Sequence, residues 1–313
     1  MDCNASITLD TLLDKYMHDS VLRPATAIHF RFVVRLFNRT VGVHPFTEIS
    51  REMILIFRDQ VLARAKSTTW NNYLRHLRVL GNFAVRMGYA TKNPFKEIKL
   101  APVPRKRKKT LDDKLIKHAL DLLGNAVDES GADHLQPRWF WVIVIKVLFS
   151  TGIRRHQLIE LCWSHVDLEQ GVLLLVAEGS KTRREWEIPL LPAVVSELVF
   201  LRKRTLERLS TDDISALQVF NVTLFNDRYM HDVMTEEQLS GFFRRLSRTL
   251  GKTISPHRFR HTLATKLLRG PYPDIKTVQD LLGHTDMRMT LEYVEVDMDN
   301  LRSLLNARLG EFI

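Results

Sequence analysis

Residues 68–87, TTWNNYLRHLRVLGNFAVRM, carry the clearest secondary-structure signal in the chain. Apolar side chains recur there at helical spacing, so that they fall on one stripe of an α-helix. Ser67 or Thr68 can cap the start of this helix, and Gly88 can end it. The pattern predicts an amphipathic helix that packs against a core through one stripe of residues: Trp70, Tyr73, Leu74, Leu77, Leu80, Phe83, Ala84 and Met87.

Similar periodicity extends in both directions from this helix. Thr8–Met17 and Pro24–Val41 also place apolar residues at helical spacing, and helical patterns resume from Thr110 onward. One interruption is rich in β-forming residues: Val172–Ala177 and Glu185–Leu190 flank a turn-like segment and predict a β-hairpin. The predicted fold class is therefore mainly α, with a small β-hairpin or sheet in the second of two domains.

A proline-containing basic segment separates the two domains. Asn93-Pro94 breaks the helical pattern, and residues 98–110 follow as a predicted linker between a helical domain at 1–97 and a second domain at 111–313. Prolines keep such a segment extended, and its cations favour phosphate groups. A run of this kind also resembles a nuclear localisation signal. Its position between folded segments favours DNA contact by five consecutive cations: Arg105, Lys106, Arg107, Lys108 and Lys109.

The charge balance points the same way. The 313 residues include 46 Lys and Arg against 36 Asp and Glu, a formal net charge of +10. Because Lys and Arg displace counterions from nucleic acid, this excess favours a polyanionic partner, although a merely basic protein has the same balance. On the helix at 68–87, Arg75, His76 and Arg78 fall mostly off the apolar stripe. They are candidates for contact with DNA phosphates, or they form an ordinary solvated face.

Several classes of protein are disfavoured. Cys3 and Cys162 are far apart and form neither a disulfide framework nor a metal-ligand motif, which favours a reducing compartment. The N-terminus lacks a signal-peptide pattern. The most apolar stretch, Trp139–Phe149, is too short to span a bilayer and contains Lys146, so it predicts a buried helix. We expect a cytoplasmic protein without a membrane partner, associated with the nucleoid if its source is bacterial.

The last sixty residues concentrate groups that can act on a phosphodiester. A tyrosine phenol is a poor nucleophile near neutrality, so Tyr293 needs neighbours that remove its proton or stabilise its oxyanion. Arginine can bind two oxygens of a phosphate and stays charged, which makes Arg154 and Arg260 candidates for a phosphate clamp. Arg154 follows the turn Thr151-Gly152 that closes the predicted buried helix. A tyrosine taken alone is more often a packing or surface residue.

Other groups complete the candidate site. His257 follows Pro256 and opens a predicted helix, with Arg260 and His261 on the same face. Two histidines four residues apart also invite a zinc interpretation, but the neighbouring guanidiniums would repel a divalent cation, so no metal and no cofactor are expected. Lys181, in the hairpin turn, can protonate a leaving alkoxide or be an ordinary turn lysine. His284 can contact the phosphate or be structural.

Taken together, these motifs resemble those of the tyrosine recombinase (phage integrase) family. The residues that carry the resemblance are TGIR at 151–154, SK at 180–181, HRFRH at 257–261, LGH at 282–284 and Tyr293, with STTWNNYLRHL at 67–77 similar to the family's core-binding domain. The chain begins almost directly with core-binding helices, so the expected type is a simple two-domain enzyme without an arm-binding domain.

The resemblance implies a specific reaction. Two domains enclose DNA as a C-shaped clamp, and Tyr293 forms a 3′-phosphotyrosine that frees a 5′-hydroxyl without metal or ATP. Arg154 and Arg260 then clamp the phosphate, Lys181 is the general acid, His257 handles the proton of the tyrosine, and His284 supports the phosphate. Family members act on double-stranded DNA as a homotetramer through a Holliday junction, as monomers when free or dimers on one site, with accessory DNA-bending proteins or a partner recombinase.

Some alternatives stay open. Gln157 stands where the family usually has an acidic residue, and an amide cannot offset a positive cluster. The same chemistry would serve a type IB topoisomerase, and a DNA-binding regulator without catalysis is a further possibility. The C-terminal segment predicts a helix that docks either on its own domain or on a neighbouring protomer through Leu301, Leu304, Leu305 and Leu309.

Overall fold

The chain divides into two compact units, Met1–Lys106 and Arg107–Ile313. The predicted fold class is confirmed, because helices dominate both units and one small antiparallel sheet accompanies them. A computed structural model describes residues 7–104, 109–124, 134–176, 185–229, 231–269 and 274–293, together with 302, 305 and 306. Five of the predicted site residues lie outside these described residues: Arg105, Lys106, Arg107, Lys108 and Lys181.

The first unit is a four-helix arrangement in its described part. Its helices are α1 (Leu9–Asp19), α2 (Pro24–Val41), α3 (Arg51–Arg64) and α4 (Ser67–Arg86). Each of the first three helices contacts α4, which therefore lies at the centre of the unit. The predicted helices at Thr8–Met17 and Pro24–Val41 are confirmed, with Thr8 as the N-cap of α1.

Helix α4 follows most of the predicted stripe. Trp70, Leu74, Leu77 and Leu80 are fully buried, and the core of the unit forms around them. Two predictions are wrong. Met87 is 45% exposed, because it is the residue after the last helical turn, and neither Ser67 nor Thr68 is the N-cap. The predicted stop at Gly88 is confirmed: this residue has φ +73°, a conformation that suits glycine.

Asparagine side chains fasten the segment after α4 to the first unit. Asn71 is buried in α4 and exchanges two hydrogen bonds with the backbone of Ala101, at 2.9 and 2.8 Å. Asn93 lies so close to Gly81 that a Cβ there would be 2.1 Å from the Asn93 Oδ1 atom. Ile98 is also buried in this core, so the first part of the predicted linker is folded. The bounds of the linker, residues 98–110, stay a prediction.

The second unit is organised around the predicted apolar helix. This helix, α6 (Arg138–Thr151), packs against α5 (Asp113–Gly124), α8 (Pro192–Leu209) and α10 (Pro256–Leu267). Its side chains are buried on nearly all sides, as expected for a helix at the centre of a domain. The remaining helices are α7 (Arg155–Glu160), α9 (Glu236–Thr249), α11 (Ile275–Leu282) and α12 (Met287–Leu291).

The predicted hairpin is present, and its strands pair in antiparallel register. Strand β2 (Val172–Leu175) pairs with β3 (Trp186–Pro189), and Leu173 and Ile188 face each other in the buried layer. A short strand that the sequence did not predict, β1 (Val166–Asp167), adds to the other edge of β2. The sheet therefore has the order β1-β2-β3.

Two further observations bear on the sequence predictions. None of the helices in the described ranges combines the length and the apolar character that crossing a bilayer requires. In the C-terminal segment, Leu305 is 48% exposed, while Leu301, Leu304 and Leu309 lie outside the described residues. The docking of this segment stays a prediction.

Candidate active site

Arg154 is positioned by the abrupt end of α6. Gly152 ends this helix with φ +63°, and a Cβ there would be 2.9 Å from the side chain of Leu263. Thr151 Oγ1 donates a hydrogen bond to the Val147 carbonyl at 2.6 Å and stays inside the helix. The chain can therefore turn sharply only with glycine at 152, and Arg154 follows in extended conformation before α7.

The side chain of Gln157 binds the backbone of Arg154. Its Oε1 atom accepts a hydrogen bond from the Arg154 backbone N–H at 2.9 Å, so the amide caps the first turn of α7. Gln157 is 2% exposed, and within the described part of the chain its Nε2 atom has no hydrogen-bond partner. The amide therefore fixes the backbone at Arg154 but, being neutral, adds no negative charge to offset the positive cluster.

Arg260 projects from the first half of α10. Ser255 is the N-cap of this helix and Pro256 its first residue, so the predicted helix start is confirmed. Arg260 as a whole is 3% exposed. It donates from Nη1 to the Gly152 carbonyl and from Nη2 to the Leu282 carbonyl, each at 2.7 Å. Arg260 thereby joins the ends of α6 and α11.

The turn after α11 binds the guanidinium of Arg154 as well as that of Arg260. Gly283 adopts φ +59° and ends this helix. Its carbonyl accepts from Arg154 Nη2 at 3.5 Å, and the preceding carbonyl of Leu282 is the one that binds Arg260. His284 follows, with its backbone N–H donating to the carbonyl of Gln279 at 3.0 Å. Because carbonyls at a helix C-terminus carry partial negative charge, they hold the two cations without neutralising them.

Burial leaves both arginines poorly solvated. Burial first, and then the neighbouring Arg154, lowers the pKa of Arg260 to about 10, while Tyr293 opposes the shift. Burial likewise lowers the pKa of Arg154, again opposed by Tyr293. Among the described residues neither guanidinium forms an ion pair with a carboxylate, and the buried Nη1 atom of Arg154 has no hydrogen-bond partner. A bound anion would supply the missing charge and hydrogen-bond acceptors.

Tyr293 lies between two imidazole rings. Its ring centroid is 5.1 Å from that of His261 and 5.9 Å from that of His284, with which it is nearly parallel. His284 is buried, and its Nδ1 atom hydrogen-bonds to Thr290 Oγ1 at 2.8 Å. His257 is exposed on the first turn of α10, and its ring centroid is 3.9 Å from that of His261. Tyr293 directly follows Glu292, the C-cap of α12.

The structure therefore brings together five of the six residues predicted to be catalytic. Arg154, Arg260, His284 and Tyr293 are joined by contacts, and His257 reaches Tyr293 through His261. Lys181, the sixth, lies outside the described residues. Among those that are described, no group of three or more His, Cys, Asp or Glu side chains is arranged to hold a metal ion.

The predicted DNA-binding residues of α4 differ in their surroundings. Arg75 is exposed. Arg78 is half-buried and donates hydrogen bonds to the carbonyls of Phe95 and Ile98, which fastens the segment after α4. His76 donates from Nδ1 to the Asn72 carbonyl of its own helix, 2.8 Å away.

Two of the residues predicted to contact DNA, His76 in α4 and Lys109 in the linker, differ in their surroundings. His76 also packs edge-on against Phe30 and His29, so its ring belongs to an aromatic cluster of the first unit. Lys109 is exposed. Contact with DNA stays a prediction for all of these residues, and Arg75 and Lys109 have the exposure that it requires.

Sequence reasoning missed the part played by two residues. His261 was placed on the face of His257 and Arg260, but its position between His257 and Tyr293 was not predicted. Helical spacing from His257 was the available signal. Trp186 donates from Nε1 to the Leu281 carbonyl at 3.2 Å, a contact between residues 95 positions apart that no local pattern indicates.

Comparisons with known proteins agree with this geometry. A sequence model of the phage integrase family matches residues 114–300. A Pseudomonas syringae protein that carries the name tyrosine recombinase XerC is 31% identical over 308 residues, which cover 96% of this chain and 64% of that protein. The chain thus spans slightly less than two thirds of that relative.

Solved structures show the same fold. A Tn1549 transposon integrase in complex with a circular intermediate DNA superposes with a TM-score of 0.74 at 20% identity, covering 96% of this chain and all of that one. A lambda integrase tetramer bound to a Holliday junction gives a TM-score of 0.69 at 20% identity, covering 93% of this chain and 79% of that one.

Proposed function

Because the chain belongs to the phage integrase family, we propose that it is a site-specific DNA recombinase, which cuts and rejoins duplex DNA through a covalent phosphotyrosyl intermediate. The observation that carries the proposal is the convergence of the half-buried Arg154 and the buried Arg260 beside the phenol of Tyr293; among the described residues, neither guanidinium pairs with a carboxylate. Such a site favours an anion and offers it a nucleophile.

The two arginines bind the scissile phosphate. Attack on a phosphodiester builds negative charge on the non-bridging oxygens of a five-coordinate phosphorus, and preorganised cations stabilise that charge. Within the described residues, the buried Nη1 atom of Arg154 has no hydrogen-bond partner and can donate to a phosphate oxygen. Arg260 is held by two carbonyl groups, so its guanidinium is oriented before DNA binds. Removing one donor of this kind typically lowers a rate by about 100- to 1000-fold.

Tyr293 is the nucleophile of the proposed reaction. Its Oη atom bonds to phosphorus, the bond from phosphorus to the 5′ oxygen breaks, and the 5′ oxygen takes up a proton. A 3′-phosphotyrosine and a 5′-hydroxyl result, and attack by a 5′-hydroxyl from a partner duplex reverses the step. We assign the proton of the phenol to His257, acting through the adjacent His261. Lys181 is assigned as the general acid for the 5′ oxygen.

His284 contributes a fixed hydrogen-bonding group. Its Nδ1 atom is hydrogen-bonded to Thr290 Oγ1, which fixes the orientation of the ring. The side chain is buried against Tyr293, which keeps the ring in place. We therefore assign His284 to support of the scissile phosphate rather than to proton transfer.

The proposal includes double-stranded DNA as the partner. The similar structures are a transposon integrase with circular intermediate DNA and a lambda integrase tetramer on a Holliday junction. By analogy we propose that this protein assembles as a homotetramer from dimers bound at single sites. Its place of action would be the cytoplasm, at the nucleoid of a bacterial host.

Recombination is favoured over the two alternatives. A protein of similar sequence is named as a tyrosine recombinase, which does not favour simple relaxation of supercoils. A regulator without catalysis would not need Arg154, Arg260 and Tyr293 to be assembled at one buried site. Integration, excision, resolution and inversion share this chemistry, so the arrangement of the DNA sites would select among them.

The experiment that tests the proposal is covalent trapping on DNA. A nicked suicide substrate loses the short strand that carries the 5′-hydroxyl, so the covalent complex accumulates and is visible on a denaturing gel. We expect the wild-type protein to form it without metal or ATP, and Tyr293→Phe to form none while still binding DNA.

A second tyrosine in the same unit provides the matched control. Tyr229 is half-buried and accepts a hydrogen bond from Arg245, so Tyr229→Phe removes a phenolic hydroxyl elsewhere in the unit. This variant should trap DNA like the wild type. Undiminished trapping by Tyr293→Phe would contradict the assignment of the nucleophile.

A further inference from the structure

The turn that ends α11 receives hydrogen bonds from three separate elements. Three successive carbonyl groups each accept from one side chain, and the donors come from the sheet, from α10 and from the segment between α6 and α7. In order, Leu281 accepts from Trp186 at 3.2 Å, Leu282 from Arg260 at 2.7 Å and Gly283 from Arg154 at 3.5 Å.

The indole of Trp186 also supports this turn sterically. A Cβ at Gly283 would be 2.4 Å from Trp186 Cζ2 and 2.5 Å from Cη2, so the backbone of the turn rests directly on the ring. Gly283 has φ +59°, which adds a second reason for glycine at this position. Trp186 therefore limits the turn in two ways, through a hydrogen bond and through close packing.

The contact between Trp186 and the turn also affects the positions of Arg154 and Arg260. The carbonyls of Leu282 and Gly283 each accept a hydrogen bond from one guanidinium, of Arg260 and of Arg154, and so contribute to its orientation. The orientation of those carbonyls depends on the backbone that rests on Trp186. Without the indole, the Leu281 carbonyl loses its donor and the turn loses the surface beneath it. A shift of about 1 Å at the reacting groups can lower a rate by about 100-fold.

We propose that Trp186 is a positioning residue for strand cleavage, which orients Arg154 and Arg260 through the turn at Leu281–Gly283. The inference rests on the proposed function, because it assigns the arginines to the scissile phosphate. Trp186 itself touches neither arginine in the described contacts and is not assigned to the DNA.

The first test compares three variants in single-turnover cleavage and in DNA binding. Trp186→Leu removes the ring and should cleave about 10- to 100-fold more slowly, with unchanged DNA affinity. Trp186→Phe keeps a ring against Gly283 but loses the N–H group, so it should lose less activity and has the better prospect of folding normally. Trp139→Leu is the matched control, because Trp139 is half-buried in the same unit and packs on Phe225 instead.

The second test separates positioning of the arginines from a general effect on folding. A methylphosphonate at the scissile position replaces one charged non-bridging oxygen by a methyl group, so less charge has to be stabilised. A variant that acts through Arg154 and Arg260 should therefore lose less on this substrate than on the phosphate. We expect the defect of Trp186→Leu to shrink by about tenfold, in parallel with that of Arg154→Ala.

A Trp186→Leu defect of equal size on both substrates would overturn the inference, since a smaller folded fraction lowers both rates alike. Wild-type cleavage rates in Trp186→Leu and Trp186→Phe would overturn it too. A wild-type protein that forms no covalent complex would instead refute the proposed function, so the two failures are distinguishable.

Discussion

Replacing Arg260 by glutamine should separate stability from activity. Burial and the proximity of Arg154 lower the pKa of Arg260 to about 10, roughly 2.5 pH units below the ordinary value of arginine. At about 1.4 kcal/mol per pH unit, the charged guanidinium is disfavoured in the folded protein by about 3 to 4 kcal/mol. Because the folded-state pKa is the lower one, this cost is fully present below pH 10 and is relieved only at higher pH.

The hydrogen bonds of Arg260 act in the opposite direction. Its bonds to Gly152 and Leu282 contribute about 1.5 to 3 kcal/mol each, as bonds from charged donors do. The glutamine amide is long enough to restore one of them. We therefore expect Arg260→Gln to change the free energy of unfolding by no more than about 2 kcal/mol, since the removed cost and the lost bonds offset each other.

Cleavage should respond very differently. The loss of one preorganised cation at the phosphate should reduce the single-turnover rate by about 100- to 1000-fold on a suicide substrate. Urea unfolding followed by circular dichroism measures the stability. Arg258→Gln is the control, because Arg258 lies in the same helix and donates to the Thr253 carbonyl at 2.6 Å. A loss of stability above about 4 kcal/mol, or a cleavage rate within tenfold of wild type, would refute the reasoning.

Two other substitutions test separate parts of the structure. Gly81→Ala should destabilise the first unit by about 1–3 kcal/mol, because its Cβ would lie 2.1 Å from Asn93 Oδ1. Gly124→Ala is the control, since open space surrounds its Cβ, and it should cause no such loss in thermal unfolding. Equal melting temperatures of the Gly81→Ala and Gly124→Ala variants would contradict the packing. Thr290→Val removes the hydroxyl that binds His284 Nδ1 and should slow cleavage by about tenfold. Thr290→Ser keeps this hydroxyl and should retain most of the cleavage rate. If Thr290→Ser cleaves as slowly as Thr290→Val, the hydrogen bond to His284 does not account for the loss.

Local signals in the sequence predicted much of the helical structure. Periodic apolar residues located α4, and Pro256 directly before His257 indicated the start of α10. Met87 shows the limit of periodicity, since it continues the stripe by spacing but lies beyond the last turn and is exposed. Helix ends depend on backbone geometry, which spacing alone does not determine.

Contacts between distant segments were beyond prediction from the sequence. Asn71 is polar, yet it is buried because it pairs with the backbone of Ala101. Trp186 meets the turn at Gly283 across nearly 100 residues, and neither position has a local pattern that identifies its partner. The candidate catalytic residues were found because their chemistry is recognisable, whereas the residues that hold them depend on tertiary packing.

The central claim is that Tyr293 becomes covalently linked to DNA. The most direct test is mass spectrometry of the protease-digested complex trapped on a suicide substrate. The account predicts a nucleotide attached through a 3′-phosphate to the peptide that contains Tyr293, with fragment ions placing it on that residue. An adduct on any other residue, or a 5′-phosphate linkage, would contradict it.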